Sequence, residues 1–485
     1  MIFYKEPHVD IHIGDCREVL KEMPAESVQC VVTSPPYWGL RKYEGEQELI
    51  WSDDHCEHEW GDLIPHPQRK SGKHGPASIV AEGTKIAEHE IRINSNQGQL
   101  CLKCSAWRGA YGLEPQPEMY VEHTIEFLRL IRRVLRKDGV VFWNIGDSYA
   151  GSGSPGGDFR DGKGGDEYLR PYNRKGEILK PKDLCLIPFR VAIAAQEAGW
   201  WVRSVIIWSK PNPMPESVKD RPTESHEYIL MLTKAKSYYW DQEAVREPFL
   251  PQSLERISQH LAHQHGGMKE AAFMDDSVIP GGGDRKRHSK ILKRLKGSIE
   301  QGLSGRNLRT VWEFPTQPFK DAHFAVFPTE LPRRCILAAT SEKGNCPKCG
   351  KPWVRVIGRV KGVITEAMKV AGCNQDGGYD GSDSKGYAMH GVQSPSDTKR
   401  RILESMQTMS RTIGWRPQCS CGVDPIPAIV LDPFSGSGTA GEVAKSLGRK
   451  AILIDTSGEY CSLAQKRIEA VSLPMLYCGA GGDER

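Results

Sequence analysis

Long apolar runs are missing: nowhere in the 485 residues does one approach the roughly 18 residues that a membrane helix needs. The opening residues, MIFYKEPHVDIHIGD, lack the basic, apolar and small-residue succession of a secretory leader, so the chain reads as cytosolic with no membrane partner. Charge of one sign is scarce as well. Lys and Arg number 65 against 61 Asp and Glu, and a net charge of +4 does not by itself mark a polyanionic partner. The basic residues are instead gathered locally, above all in DRKRHSKILKRLK at 284–296. No internal repeat is present, which excludes a solenoid.

Cysteine is not scarce, at 14 residues, but a cytosolic compartment excludes a disulfide scaffold. Cys16, Cys30 and Cys461 fall in apolar segments and read as small core residues. The others that stand out come in close pairs. Cys346-x-x-Cys349 and Cys419-x-Cys421 form two halves of a zinc site, provided a hairpin closes the long gap between them. Cys56-x-His58 and Cys101-x-x-Cys104 form a second set, in which His55 can replace His58. Four protein ligands leave no open position for a substrate, so both zinc ions are expected to be structural. Free cysteines are the alternative.

Strand and helix patterns alternate along the rest of the chain. His12-Ile13-Gly14-Asp15 ends a short apolar run, Val19, Leu20 and Met23 suit one helix face, and 28–32 (VQCVV) is a continuous apolar run of the kind buried in a parallel sheet. Residues 44–118 interrupt the pattern. From Tyr120, the residues Val121, Ile125, Leu128, Ile131 and Leu135 keep helical spacing, with Asp138-Gly139 read as the helix end and 140–145 as a strand. A glycine-rich loop (150–166), a helix near 188–198 and strands at 201–208 and 228–233 follow. Residues 242–310 and 345–421 interrupt again, before a strand at 428–431, a turn at 432–439, a helix and a strand at 451–454. The expectation is an α/β fold with a doubly wound, mostly parallel sheet.

Two turns carry chemistry. The first, AIVLDPFSGSGT at 428–439, runs a buried strand into an acid and a Gly-x-Gly bend; Gly436 and Gly438 allow close approach of a ligand. The next strand ends at Asp455, where an acid takes the ribose hydroxyls of an adenosine-containing cofactor. The second turn is Thr33-Ser34-Pro35-Pro36-Tyr37, again directly after a buried strand. The lone pair of an exocyclic amine is delocalised into its ring. Acceptors that take its hydrogens pull the nitrogen toward tetrahedral geometry and free that pair. Two prolines stiffen the backbone, so the Ser34 hydroxyl and the Pro35 carbonyl become fixed acceptors, while Tyr37 offers a flat face to a flipped base.

Together these strings resemble the N4-cytosine/N6-adenine DNA methyltransferases, with the catalytic motif first and the cofactor motif last, the order of the beta group. KPNPMPESVKD (210–220), RPTESHEY (221–228) and YYWD (238–241) resemble that group's middle block, and HFAVFPTELP (323–332) the segment over the methionine end of the cofactor. The resemblance implies the S-adenosylmethionine-dependent methyltransferase fold. It implies a cofactor held by Asp15, near the adenine, and by Phe327, Pro328, Asp432, Phe434, Gly436, Gly438, Thr439 and Asp455. It also implies double-stranded DNA as substrate and a restriction-modification or phage enzyme in a bacterial, archaeal or phage setting, with a cognate restriction endonuclease as a possible partner. The segment around Phe327-Pro328 departs from the family in lacking a Lys-Pro. The resemblance covers about 1–43, 119–149, 184–241, 311–344 and 427–470, and the catalytic core it implies is 1–43, 119–241, 311–344 and 422–475. Residues 44–118 form a zinc-binding insertion, 242–310 a target-recognition region and 345–421 a zinc-ribbon-like insertion. Ser34 stands where adenine enzymes usually carry Asp or Asn, which resembles the N4-cytosine subgroup. Adenine remains the alternative, as do an RNA or protein substrate and a zinc-bearing DNA-binding module on a degenerate core.

Overall fold

The computed structural model describes residues 1–39, 48–51, 56–64, 98–150, 179–180, 182–248, 305–317, 326–360 and 409–473. It contains two compact units, Met1–Trp240 with Arg309–Pro352 and Cys421–Arg485, and Asp241–Leu308 with Trp353–Ser420. The residues 151–166 of the glycine-rich loop, the basic run 284–296 and His55 lie outside the described residues. Among the described residues, no helix is long and apolar enough to cross a membrane.

The first unit is built on strands β1 (Ile2–Glu6), β2 (Val9–Ile13), β3 (Val28–Thr33), β8 (Leu135–Ile145), β9 (Trp201–Ser209), β10 (His226–Thr233), β11 (Val311–Glu313), β14 (Ile429–Asp432) and β15 (Lys450–Asp455). They make one sheet in the order β1-β2-β15-β14-β3-β8-β10-β9-β11. The five strands from β2 to β8 are mutually parallel, while β10 runs antiparallel to both its neighbours and β1 antiparallel to β2. Helices α1 (Cys16–Glu22), α2 (Pro117–Val134) and α3 (Ile187–Glu197) pack against one another in one layer. A second layer is formed by α4 (Glu330–Ala339), α5 (Thr439–Ser446) and α6 (Gly458–Glu469). Cover on both faces explains the continuous apolar runs: Val28, Cys30, Val31 and Val32 are all fully buried.

Two sequence expectations are corrected. The single run at the start is a hairpin, because mostly exposed β1 adds a strand at the sheet edge without an apolar signature. Asp138-Gly139 does not end α2, which stops at Val134; both residues lie inside β8. The register of β8 on β3 shifts from Val28↔Leu135 to Cys30↔Val140, and a Cβ on Gly139 would stand 2.6 Å from Leu135 and 2.9 Å from the Gln29 carbonyl. The glycine therefore serves a bulge where two backbones approach closely.

A second sheet, β4 (Glu48–Trp51), β7 (Trp107–Ala110), β6 (Gln99–Cys101) and β5 (Trp60–Leu63) in spatial order, comes from the first interruption. Its Trp51 and Trp107, with the following Tyr111, join the same core cluster as Tyr120, Phe127 and Leu128 of α2. In the second unit β12 (Trp353–Val360) and β13 (Met409–Pro417) form an antiparallel hairpin with Trp353 opposite Pro417.

Candidate active site

Strands β14 and β3 are parallel neighbours, Val430 beside Cys30 and Leu431 beside Val31, so both turns leave the same edge of the sheet. Chain order reverses there, and ligands of open α/β sheets bind at such a point. A buried hydrogen bond of 2.6 Å from Thr33 Oγ1 to Asp432 Oδ1 ties the two strand ends together.

After β3, Ser34 Oγ donates to Tyr37 Oη (3.0 Å), and Tyr37 Oη donates to Glu227 Oε2 (2.6 Å). Asn144 Nδ2 donates to Tyr37 Oη (2.7 Å), to Glu227 Oε2 (2.8 Å) and, at 3.4 Å, to Ser34 Oγ. Lys210 Nζ pairs with Glu227 Oε1. The Tyr37 ring lies against Gly146, where a Cβ would meet it at 2.8 Å. Behind the turn, Tyr120 Oη donates to the Pro36 carbonyl (3.0 Å), and Gly112 is so close that a Cβ there would stand 3.1 Å from Pro36. Glu114 accepts from the Gly112 N–H (2.9 Å) and pairs with His123 of α2, so the exit from β7 backs the proline turn.

After β14, Asp455 at the end of β15 accepts backbone N–H groups from Gly436 (2.8 Å) and Ser457 (2.9 Å). Gly436, at φ +49°, would have open space around a Cβ; Gly438, at φ +78°, would place one 2.7 Å from the Ala464 Cβ. The first glycine thus leaves the backbone accessible and the second seats α5 on α6. Asp15 caps α1 and accepts from Arg17 through both oxygens. Phe434 packs edge-on against Phe127 (5.0 Å between centroids) and stacks on Tyr111 (5.8 Å).

One cavity unites the predicted residues Asp15, Ser34, Pro36, Phe327, Phe434, Gly436, Thr439 and Asp455. Pro35, Tyr37, Pro328, Asp432 and Gly438 do not line it. Pro328 instead accepts the Leu331 N–H at the start of α4. Sequence reasoning missed Leu49 and Tyr111, which the first interruption contributes to the cavity wall, together with Phe127, Ser435 and Tyr460. It also missed Asn144, Lys210 and Glu227. The one signal for Glu227 is an acid heading the apolar run YILMLT. The cavity fits a nucleoside-type cofactor: it has aromatic walls, two carboxylates and a glycine turn open to close approach. Buried Ser435 Oγ and Asp432 Oδ2 have no hydrogen-bond partner among the described residues, as expected of a turn that a polar ligand completes.

Burial pushes the Asp432 carboxyl up to about 7 from 3.8. The folded form keeps a proton that the unfolded form loses above pH 3.8, so the penalty is absent below that pH and complete above about 7. Such a displacement costs the folded state roughly 4 kcal/mol at most. Asp432→Asn keeps the acceptor for Thr33 and Phe434. In thermal denaturation without ligand it is expected to melt above the wild type at pH 8, with the gap narrowing steadily toward pH 5. A gap independent of pH would show that the charge carries no penalty.

The first cysteine set also comes together. Cys56 and Cys101 sulfurs are 4.0 Å apart, Cys104 Sγ and His58 Nδ1 3.5 Å, and all four ligand atoms lie within 4.8 Å of one another. Tetrahedral zinc with bonds of about 2.3 Å to sulfur sets neighbouring ligands about 3.8 Å apart, so the set fits it. In the other set Cys346, Cys349 and Cys421 belong to the first unit, with mutual ligand distances within the same limit. The Cys346 N–H donates to the Lys351 carbonyl and the Gly350 N–H to the Cys346 carbonyl, the tight turn of a knuckle. Cys419 stands two residues before Cys421, directly after the β13 end of the hairpin.

A mostly parallel sheet with one antiparallel strand set between β8 and β9, and a Gly-x-Gly cofactor turn beside its centre, defines the S-adenosylmethionine-dependent methyltransferase class. The family model for DNA methylases of the N6/N4 type matches residues 28–346 and 376–466, and the chain belongs to that family, in its beta group. Over 459 residues it is 28% identical to the type II methyltransferase M.SmaI of Serratia marcescens, covering 94% of this chain and 90% of that protein. Over 327 residues it is 35% identical to the type II methyltransferase M.Cfr9I of Citrobacter freundii, covering 67% and 71%. Among solved structures it is similar to the PvuII DNA methyltransferase (cytosine-N4-specific), at 14% identity and a TM-score of 0.42, over 97% of this chain and 90% of that one.

Proposed function

We propose that this DNA methyltransferase acts on the N4 amino group of cytosine in double-stranded DNA, as the modification enzyme of a type II restriction system or a phage-borne counterpart, with a cognate endonuclease as partner. The observation that carries the reading is Ser34, whose small hydroxyl lines the cofactor cavity while the Asp or Asn usual in adenine enzymes is absent. Ser34 and the Pro35 carbonyl accept the two amine hydrogens, Pro36 stiffens the turn and Tyr37 offers its ring to the flipped base. When bound, S-adenosylmethionine supplies an electrophilic methyl group. Asp455 would take its ribose, Asp15 the adenine side, Phe327 the methionine end, and the Asp432–Thr439 turn with Phe434 and Gly436 the centre, while Pro328 holds the start of α4 and Gly438 seats α5 behind the turn.

Both cysteine sets hold structural zinc, Cys56, His58, Cys101 and Cys104 one ion, and Cys346, Cys349, Cys419 and Cys421 the other. Residues 1–43, 119–241, 311–344 and 422–475 form the catalytic core; 44–118 and 345–421 are zinc-bearing insertions, and 242–310 reads the target. DNA from a methylation-free host expressing the chain is expected to contain N4-methylcytosine by nucleoside mass spectrometry. N6-methyladenine in its place would refute the base assignment and leave the site chemistry standing. Neither modified base would support the degenerate-core alternative.

A further inference from the structure

Methylating an amine creates a proton that must leave. The nitrogen forms a bond to the methyl carbon as the carbon–sulfur bond breaks, and it then sheds one hydrogen as a proton to restore a neutral base. Ser34 Oγ, on the cavity wall, is the acceptor at hand, but a serine hydroxyl cannot keep the extra proton. Its own hydrogen already points elsewhere, at 3.0 Å to Tyr37 Oη, whose hydrogen points in turn at 2.6 Å to Glu227 Oε2. A hydroxyl has one hydrogen and two lone pairs; Asn144 Nδ2 reaches one at 3.4 Å, and this orientation leaves the other for an amine to donate into. The carboxylate ending the chain is held from two further sides, by Lys210 on Oε1 and by Asn144 Nδ2 at 2.8 Å on Oε2.

We propose that Glu227 is the terminal proton acceptor of a Ser34–Tyr37–Glu227 relay, a positioning residue that acts on the target amine through two hydroxyls. The amine proton passes to Ser34 Oγ, the Ser34 proton to Tyr37 Oη and the Tyr37 proton to Glu227. The carboxylate becomes a carboxylic acid and later releases the proton to water. Lys210 and Asn144 fix the carboxylate's place. Tyr37 thereby has a second role, set by its hydroxyl, beyond that of its ring. The inference rests on the reading of the site as an amino-methyltransferase.

Tyr37→Phe, Glu227→Gln and the double variant are compared by single-turnover DNA methylation and by calorimetric titration with S-adenosylmethionine. Each single change is expected to slow methylation about a hundredfold, the usual scale of proton transfer by a positioned group. Cofactor affinity should stay within about twofold, because neither side chain lines the cavity. Residues that act as one unit are not additive, so the double variant should be no slower than the worse single by more than about threefold. Glu227→Asp, which keeps a carboxylate, should recover part of the rate. Single variants within about threefold of wild type, or a double effect near the product of the two, would overturn the relay. If Glu227→Gln loses cofactor binding and hence its fold, Tyr37→Phe decides alone, since its ring still packs on Gly146. A wild-type protein that methylates no DNA would defeat the functional reading instead, a distinct result.

Discussion

Ser34→Ala is expected to slow turnover about a thousandfold while leaving the affinity for S-adenosylmethionine within about twofold. Removing one fixed hydrogen-bonding group aimed at developing charge costs 10² to 10³ in rate, and a group used mainly in the transition state lowers kcat without weakening ground-state binding. On the proposed mechanism alanine removes both the amine acceptor and the first link to Tyr37, leaving only the Pro35 carbonyl, whereas the Gly436 and Asp455 contacts that shape the cofactor turn are untouched. Steady-state kinetics on DNA with calorimetry on the same preparation check both halves. Full activity in the variant would take Ser34 out of the mechanism and leave the backbone acceptor alone.

Loss of the first metal is expected to reach the cofactor cavity. About two zinc ions should accompany each freshly purified chain. Cys104→Ser should leave one, lower the melting temperature by about 10 °C or more and weaken cofactor binding about tenfold. Metal binding to such a set is coupled to folding of its sheet. The four short strands have little core of their own; they are anchored by Cys101, Trp51 and Trp107, and they end in the elements that place Leu49 and Tyr111 on the cavity wall. Gly112 and Glu114 then brace Pro36. Elemental analysis, thermal denaturation and calorimetry read the three consequences. Protein without zinc would refute both metal assignments. Zinc loss with unchanged cofactor affinity would make the insertion a separate appendage.

The parts of the molecule legible in the sequence are those where a local rule has one outcome. The strands β3, β14 and β15 are covered by helices on both faces, and that burial requires the continuous apolar runs that mark them. Their turns are legible because a proline pair and a Gly-x-Gly bend have few conformational alternatives. The α2 stripe is equally clear in Ile125, Leu128 and Ile131, all buried. Its end is not, since Leu135 continues the helical spacing while belonging to β8, and only the packing of Gly139 on Leu135 and Gln29 separates a bulge from a helix cap.

The two turns, the strands that lead into them and the family they resemble are therefore legible in the sequence alone. What only the tertiary structure decided is which distant residues complete them. Glu227, Asn144 and Lys210 lie in three different segments; Glu227 and Asn144 reach Tyr37, and Lys210 reaches Glu227, because β10 inserts antiparallel beside β8 and pairs on its other side with β9. Tyr111 reaches the cavity because the insertion shares the main core. Sequence pattern records burial and local backbone preference, both properties of neighbouring residues. Hydrogen bonds between side chains far apart in the chain depend on strand register and order, which no local pattern encodes.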